Sequence, residues 1–235
     1  MLKVDLHLHT SEDPVDNIEH DALALIDRAA ALGFDALAIT LHDRQLADRS
    51  VFEYAAERGI VLLRGVERTI HGRHVVLVNF PQHAEAIGSF GELADLKARS
   101  NGLVIAPHPF FPGGTCLGAR LDRYADLFDA VEWSYCWTRA LNFNRHAATW
   151  ARAHGKPIVG NSDLHDLRQL GRTHSWVSAE PDPDAICDAI RAGRVVLETR
   201  PVPALELAQV LSGMFLRGRK PPRPAAVDVV DLATT

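Results

Sequence analysis

Short apolar runs recur along this chain, and five of them end on a histidine or a carboxylate. The first is Lys3-Val4-Asp5-Leu6-His7-Leu8-His9. On a β-strand successive side chains face opposite sides. Leu2, Val4, Leu6 and Leu8 would therefore share one face, and Asp5, His7 and His9 the other. The spacing returns in Ile158-Val159-Gly160-Asn161-Ser162-Asp163-Leu164-His165, which sets Asp163 and His165 on one side. The runs Ala36 to His42, Ile60 to Glu67 and Leu103 to His108 each finish on a single such side chain.

Strands are predicted at 2–9, 36–40, 60–66, 74–80, 103–107, 130–134, 157–161, 175–179 and 195–199. Helical patterns fall between them at 18–32, 47–58, 91–100, 122–128, 142–154 and 183–192. The first helix is the clearest, with apolar residues at 22, 23, 26, 29 and 30 and Gly33 as its stop. Repeated strand–helix units imply an α/β fold with a parallel sheet and right-handed crossovers. With no GxGxxG and no P-loop, a closed or nearly closed barrel of one domain is expected over residues 1–200. Barrels of this kind gather their chemistry at the C-terminal ends of the strands. Residues 201–235 read as an amphipathic helix at 203–215 and a tail in which Arg217, Arg219, Lys220 and Arg223 form a basic cluster. That tail is either a solvated surface segment or an arm that contacts phosphate or a second copy.

Composition narrows the function classes. Of 235 residues 47% are hydrophobic and 23% charged, an ordinary globular balance. A net charge of −5 argues against a protein that neutralises a long nucleic-acid backbone. No apolar run reaches the roughly 18 residues of a membrane span, and the N-terminus lacks a signal-type apolar core. The three cysteines, Cys116, Cys136 and Cys187, are far apart and make neither a disulfide framework nor a CxxC knuckle. A cytoplasmic protein is expected.

Two imidazoles about 7 Å apart along a strand can close on one cation at roughly 2.0–2.1 Å per bond. Five strand ends bring several imidazoles and two carboxylates to one rim, a donor set suited to two or three divalent cations such as zinc, manganese or iron. His20, His71, His83, His146 and His154 lie in segments that read as exposed and take no role.

In order, the HxH at His7 and His9, the His42 after the second strand, the GxE ending at Glu67, the His108 before proline and the DxH of Asp163 and His165 resemble the PHP (polymerase and histidinol phosphatase) domain family. The segment from Glu12-Asp13-Pro14 to Leu41-His42-Asp43 resembles the family's stand-alone metal-dependent phosphoesterase branch. The resemblance spans roughly residues 1–200 and implies a distorted (βα)7, TIM-like barrel holding up to three cations. It also implies the ligands. His7, His9, Glu67 and Asp163 would hold the first cation; Glu67 would bridge to a second held by His108 and by Glu132, with Cys136 a weaker alternative. His42, His165 and Asp16, rather than Asp13, would hold the third. His74 would be either a ligand or a supporting histidine. The family usually carries Asp-His after the second strand, where this chain has Leu41-His42-Asp43, so His42 needs other support, with Asp43 the candidate.

Clustered divalent cations bring the pKa of a bound water toward neutrality. The expected reaction is hydrolysis of a phosphomonoester or small nucleotide by a metal-activated hydroxide, with Glu67, Asp163 and His165 as catalytic residues. Guanidinium groups suit phosphate oxygens, and among Arg44, Arg68, Arg139 and Arg172 the expected donors are Arg172 and Arg139. Trp133, Tyr135, Trp137 and Phe143 are either core or stacking surfaces for a base, and the loop at 110–114 is either a substrate wall or plain surface. The partner is a small phosphorylated substrate, with no membrane and no long nucleic acid. Alternatives are a histidinol-phosphate-type phosphatase, a metal-dependent amidohydrolase, and a non-catalytic PHP scaffold. The amidohydrolase pattern calls for a bridging lysine, and no lysine ends a strand before His108.

Overall fold

A computed structural model describes residues 1–221. In chain order it runs β1 (Leu2–Leu8), α1 (Ala22–Ala31), β2 (Ala36–Ile39), α2 (Arg49–Glu57), β3 (Val61–Ile70), β4 (Arg73–Val78), α3 (Phe90–Lys97), β5 (Leu103–Ala106), α4 (Arg120–Arg123), β6 (Ala130–Ser134), α5 (Asn144–Ala153), β7 (Ile158–Asn161), β8 (Thr173–Val177), α6 (Pro183–Arg191), β9 (Val195–Thr199) and α7 (Ala204–Arg217). Arg223, part of the expected basic cluster, lies outside the described residues.

The strands form one sheet in the order β7-β6-β5-β4-β3-β2-β1-β8-β9. It curls until the end of β7 meets β1: Leu8 and Leu164 pair in parallel, and His9 N–H donates to the Leu164 carbonyl at 3.0 Å. The result is a nearly closed α/β barrel, as expected. Gly160 lets the β8–β9 hairpin lie against β7, since a Cβ there would sit 2.7 Å from the His174 carbonyl oxygen and 2.5 Å from Leu197 Cδ1.

The sheet is not purely parallel. β4 runs antiparallel to β3 and β5, and β8 antiparallel to β1 and β9. The cause is local. Only His71 and Gly72 separate β3 from β4, both with positive φ (48° and 72°), a tight turn that leaves no room for a crossover helix. The helix expected over 122–128 is one turn of α-helix at Arg120–Arg123 followed by a 3-10 turn at Ala125–Leu127. The first helix starts only at Ala22, capped by Asp21, which frees residues 9–21 as a loop over the strand ends.

Strand alternation builds the interior. Val4, Ala36, Leu63, Val76, Ile105, Ala130, Val159 and Val177, one from each of β1 to β8, share a buried cluster that Ile186 and Ile190 of α6 close at one end. Two or four residues further along the same faces stand Glu67, His74, Glu132 and Asn161. The barrel is thus apolar below and ligand-lined above. The alternation expected to run unbroken through β1 fails. A register irregularity between Asp5 and Leu8 puts Val4 and Leu6 in the interior cluster, while Leu8 packs with Leu25 and Ile26 of α1. That shift lets apolar Leu6 and polar His7 and His9 all serve the inside.

Candidate metal centre

Glu67, at 1% exposure, is the hub. Its Oε1 lies 3.5 Å from His7 Nε2, 3.2 Å from His108 Nε2 and 2.7 Å from His74 Nδ1. Its Oε2 lies 3.5 Å from His9 Nε2 and 3.1 Å from His42 Nε2. Asp163 Oδ1 approaches His7 Nε2 at 3.4 Å, His9 Nε2 at 3.6 Å and His165 Nδ1 at 3.6 Å. On the far side Asp16 Oδ2 meets His165 Nε2 at 3.2 Å. Of the expected ligands, His7, His9, Asp16, His42, Glu67, His108, Asp163 and His165 all reach this one mouth. His74 joins them from β4.

The imidazoles are aimed by what their other nitrogens do. His7 Nδ1 meets Glu132 Oε2 at 2.7 Å, and His9 Nδ1 and His42 Nδ1 meet Asp13 Oδ2 at 3.0 and 2.9 Å. His165 Nδ1–H donates to the Asp163 carbonyl at 2.9 Å, and His108 Nδ1 lies 3.4 Å from Cys116 Sγ. A proton held at Nδ1 leaves the Nε2 lone pair pointing into the mouth, the arrangement that metal-binding histidines adopt. Nε2 of His7 and His9 are fully buried and have no hydrogen-bond partner among the described residues. Buried nitrogens of this kind are costly unless something coordinates them. The donor set therefore fits divalent cations: among the described residues His7, His9 and Glu67 converge closely enough to share one, as do His7, His108 and Asp163, His9, Asp163 and His165, and His42, Glu67 and His74.

Glu132 stands elsewhere than expected. Oε2 takes His7 Nδ1 and Asn161 Nδ2, and Oε1 accepts from the His108 backbone N–H at 3.2 Å. Both oxygens face behind the imidazoles, so it orients His7 instead of facing the mouth. Asp43 does not support His42 either: its Oδ1 pairs with Arg68 Nη1 and accepts from Thr69 N–H, both at 2.6 Å. Asp13, nine residues before α1 begins, takes that place. His20, read as exposed, is buried and its Nε2–H donates to the His9 carbonyl at 3.0 Å. His108 and Asp163 have φ of 31° and 47°, a costly conformation for side-chain-bearing residues that gathers at functional sites.

Neither expected phosphate donor, Arg172 or Arg139, lines the mouth. Arg172 is held by Glu206 of α7 at 2.8 Å, and Glu206 also accepts from Tyr135 Oη–H at 3.1 Å. Arg139 is exposed in a separate cavity with Thr138 and Pro203. Tyr135 is buried, and the half-buried Trp137 donates from Nε1–H to Thr199 Oγ1. From the 110–114 loop, Phe111 lines the mouth, a cavity of about 250 Å³ that also takes in Cys136 and Arg219.

Charge in the metal-free chain follows from the crowding. Burial opposes ionisation of Glu67, but the charges of His7, His74 and His42 prevail and hold its carboxyl well below the usual range. Burial likewise lowers His42, yet Glu67 and Asp13 raise it to about 9. Burial and the neighbouring His165 push His9 down. Burial, with a contribution from Asp163, raises the Cys136 thiol to about 11, so it stays protonated at neutral pH. A pH dependence follows. A histidine raised from 6.5 to about 9 gives stabilisation that is complete below pH 6.5 and lost as pH rises through 9. Cations compete for the same nitrogens. Stripped protein should lose thermal stability from pH 6.5 to 9.5, and the increment from added Mn²⁺ should grow over that window. An increment independent of pH would contradict the site.

The PHP-associated family model matches residues 142–195, from just before α5 to the start of β9. A two-domain protein from Bacteroides vulgatus containing a predicted PHP-like metal-dependent phosphoesterase superposes with a TM-score of 0.67 at 19% identity, over 91% of this chain and 69% of that one. The chain has the PHP fold. The lesion-specific endonuclease Q of Pyrococcus furiosus superposes with a TM-score of 0.56 at 19% identity, over 83% of this chain but only 57% of that enzyme. An amidohydrolase from Chromobacterium violaceum, with bound sulfate and no metal, gives 0.55 at 16%, over 94% and 99%. No curated protein sequence matches. Among the described residues no helix is long and apolar enough to cross a membrane.

Proposed function

We propose that this PHP-fold chain is a metal-dependent phosphoesterase that hydrolyses a phosphomonoester or a small nucleotide. The observation that carries the reading is the pair of buried, unpartnered Nε2 atoms of His7 and His9 around Glu67, with Asp163 closing the group. Divalent cations held by these residues would acidify a water molecule and neutralise charge on a phosphate ester. The chain's own part is to fix that site. Glu67 supplies one buried negative charge to five imidazoles, Asp163 faces solvent with 27% of its side chain exposed, and Asp13 and Glu132 hold the imidazole protons on Nδ1. His42 and His165 have both nitrogens committed, so the leaving group would take its proton from solvent.

Endonuclease Q shares the fold and acts on damaged DNA, which favours a phosphodiester as the second reading. The net charge of −5 weighs against it. Stripped protein reloaded with Mn²⁺, Zn²⁺ or Fe²⁺ should release phosphate from p-nitrophenyl phosphate, histidinol phosphate or nucleoside mono- and bisphosphates. Asp163→Ala should abolish that release. Cleavage confined to an abasic-site duplex would shift the assignment to the diester. No release with any cation, despite two or more ions bound per chain, would return weight to the amidohydrolase or scaffold.

A further inference from the structure

Beside the metal mouth lies a second cavity, about 370 Å³, bounded by Met214 and Phe215 at the end of α7. Asp16, His165 and Arg219 line both cavities, so the two are continuous along one wall. Its size suits a ring-sized group, at the lower end of small-molecule sites.

The wall is anchored to the loop that carries Asp13 and Asp16. After α7, Gly218 turns the chain at a φ of 63°. Asn17 Nδ2–H donates to the Arg217 carbonyl at 2.9 Å, and Lys220 N–H donates to the Val15 carbonyl at 2.7 Å. Lys220 Nζ donates to the carbonyls of Ser11 and Asp13 at 2.8 and 2.6 Å. Arg217 reaches the His165 carbonyl at 3.4 Å and Glu19 at 3.6 Å. Arg219 differs from both. Its side chain is 72% exposed, and its contact among the described residues is Asp16 Oδ1, 3.7 Å from Nε, which leaves the remaining guanidinium N–H groups available at the junction. Phe215 is 86% exposed beside it.

We propose that Arg219 and the Met214–Phe215 wall form a substrate subsite for phosphate esters of planar, apolar groups. The guanidinium takes the phosphate oxygens turned away from the cations, in the bidentate manner that Arg favours. The planar group lies against the Phe215 ring. The arrangement supplies the phosphate donor that Arg172 and Arg139 do not. It rests on the phosphoesterase reading, and the test separates the two.

The test is calorimetric binding of inorganic phosphate, methylphosphonate and phenylphosphonate to the full chain loaded with Mn²⁺, with p-nitrophenyl phosphate turnover measured in parallel. Wild type should bind phenylphosphonate about 10-fold tighter than methylphosphonate. Phe215→Ala should remove that preference and leave inorganic phosphate binding unchanged. Arg219→Ala should weaken all three ligands about 10-fold or more, the scale of a charge-assisted hydrogen bond, and raise KM more than it lowers kcat; Arg219→Lys should recover part of both. Equal binding of the two phosphonates by wild type, or wild-type phosphate affinity in Arg219→Ala, overturns the subsite. Phenyl selectivity that depends on Phe215 and Arg219, without turnover of any ester, upholds the subsite and removes the phosphoesterase reading instead.

Discussion

Glu67→Gln is expected to release at least one bound cation per chain and to lower phosphoester turnover by more than about 100-fold. The residue is the one carboxylate that five imidazoles share, with Oε1 facing His7, His74 and His108 and Oε2 facing His9 and His42. An amide keeps the volume but loses the charge, and it turns an N–H₂ toward nitrogens that must offer lone pairs. Loss of a partner that only orients a metal-binding histidine costs 10–100-fold, so removal of the shared carboxylate itself should cost more. The metal-free chain should respond too. With the counter-charge gone, protonated His7, His42 and His108 are left buried, a penalty of about 3–5 kcal/mol for a broken buried pair. The same raised His42 sets its sign with pH. The His42 share of that penalty is full below pH 6.5 and is lost as pH rises through about 9, where this imidazole gives up its proton in the wild-type chain. Elemental analysis with melts of stripped protein at pH 6.5 and 9.5 reads both effects. Wild-type cation content in Glu67→Gln would remove Glu67 from the centre.

Why these ligands can be found from sequence while their supports cannot is a matter of range. Period-2 alternation is a local rule, so apolar residues such as Leu63 and Val159 announce that Glu67 and Asn161, further along the same face, look into the barrel. The positions of His42, His108 and Asp163 follow because a strand end is where the chain must leave the sheet. Antiparallel β4 was hidden because the two-residue His71-Gly72 turn looks like any loop until its backbone is seen. The bulge in β1 was hidden because a register shift costs nothing in composition. Long-range pairs were out of reach altogether. Nothing near Arg172 announces Glu206, 34 residues on, and nothing near Asp16 announces that Arg219 and Lys220 return to its loop. A basic residue near a strand end looks the same whether it meets a substrate or a glutamate. Glu132 shows the same limit at close quarters. Its strand position sets it near the mouth, but only the rotamer reveals that both oxygens turn behind His7 and His108.

Asp13→Asn tests whether this support is as important as the ligands it serves. Asp13 Oδ2 accepts from His42 N–H and meets the Nδ1 atoms of His42 and His9 at 2.9 and 3.0 Å, while Oδ1 accepts from Val15 and Asp16 N–H at 2.8 and 3.0 Å. Burial opposes its ionisation, but the hydrogen bonds from His42 and His9 prevail and hold the carboxyl far below the usual range. Asparagine can keep the Oδ1 bonds that shape the loop. On the other side it must present N–H₂ to both imidazoles, each of which then accepts at Nδ1 and carries its proton on Nε2, the atom aimed at the mouth. One substitution thus turns His9 and His42 away from cation binding together. Turnover should fall about 100-fold or more, cation affinity should fall with it, and Asp16, still hydrogen-bonded through its backbone, should keep the loop closed. Asp43→Asn, which leaves His42 untouched, should change neither quantity beyond about twofold. Wild-type cation affinity in Asp13→Asn would show that the tautomers of His9 and His42 are fixed by something other than this carboxylate, and an equal loss in Asp43→Asn would show that the effect is general loosening of the loops rather than the orientation of two nitrogens.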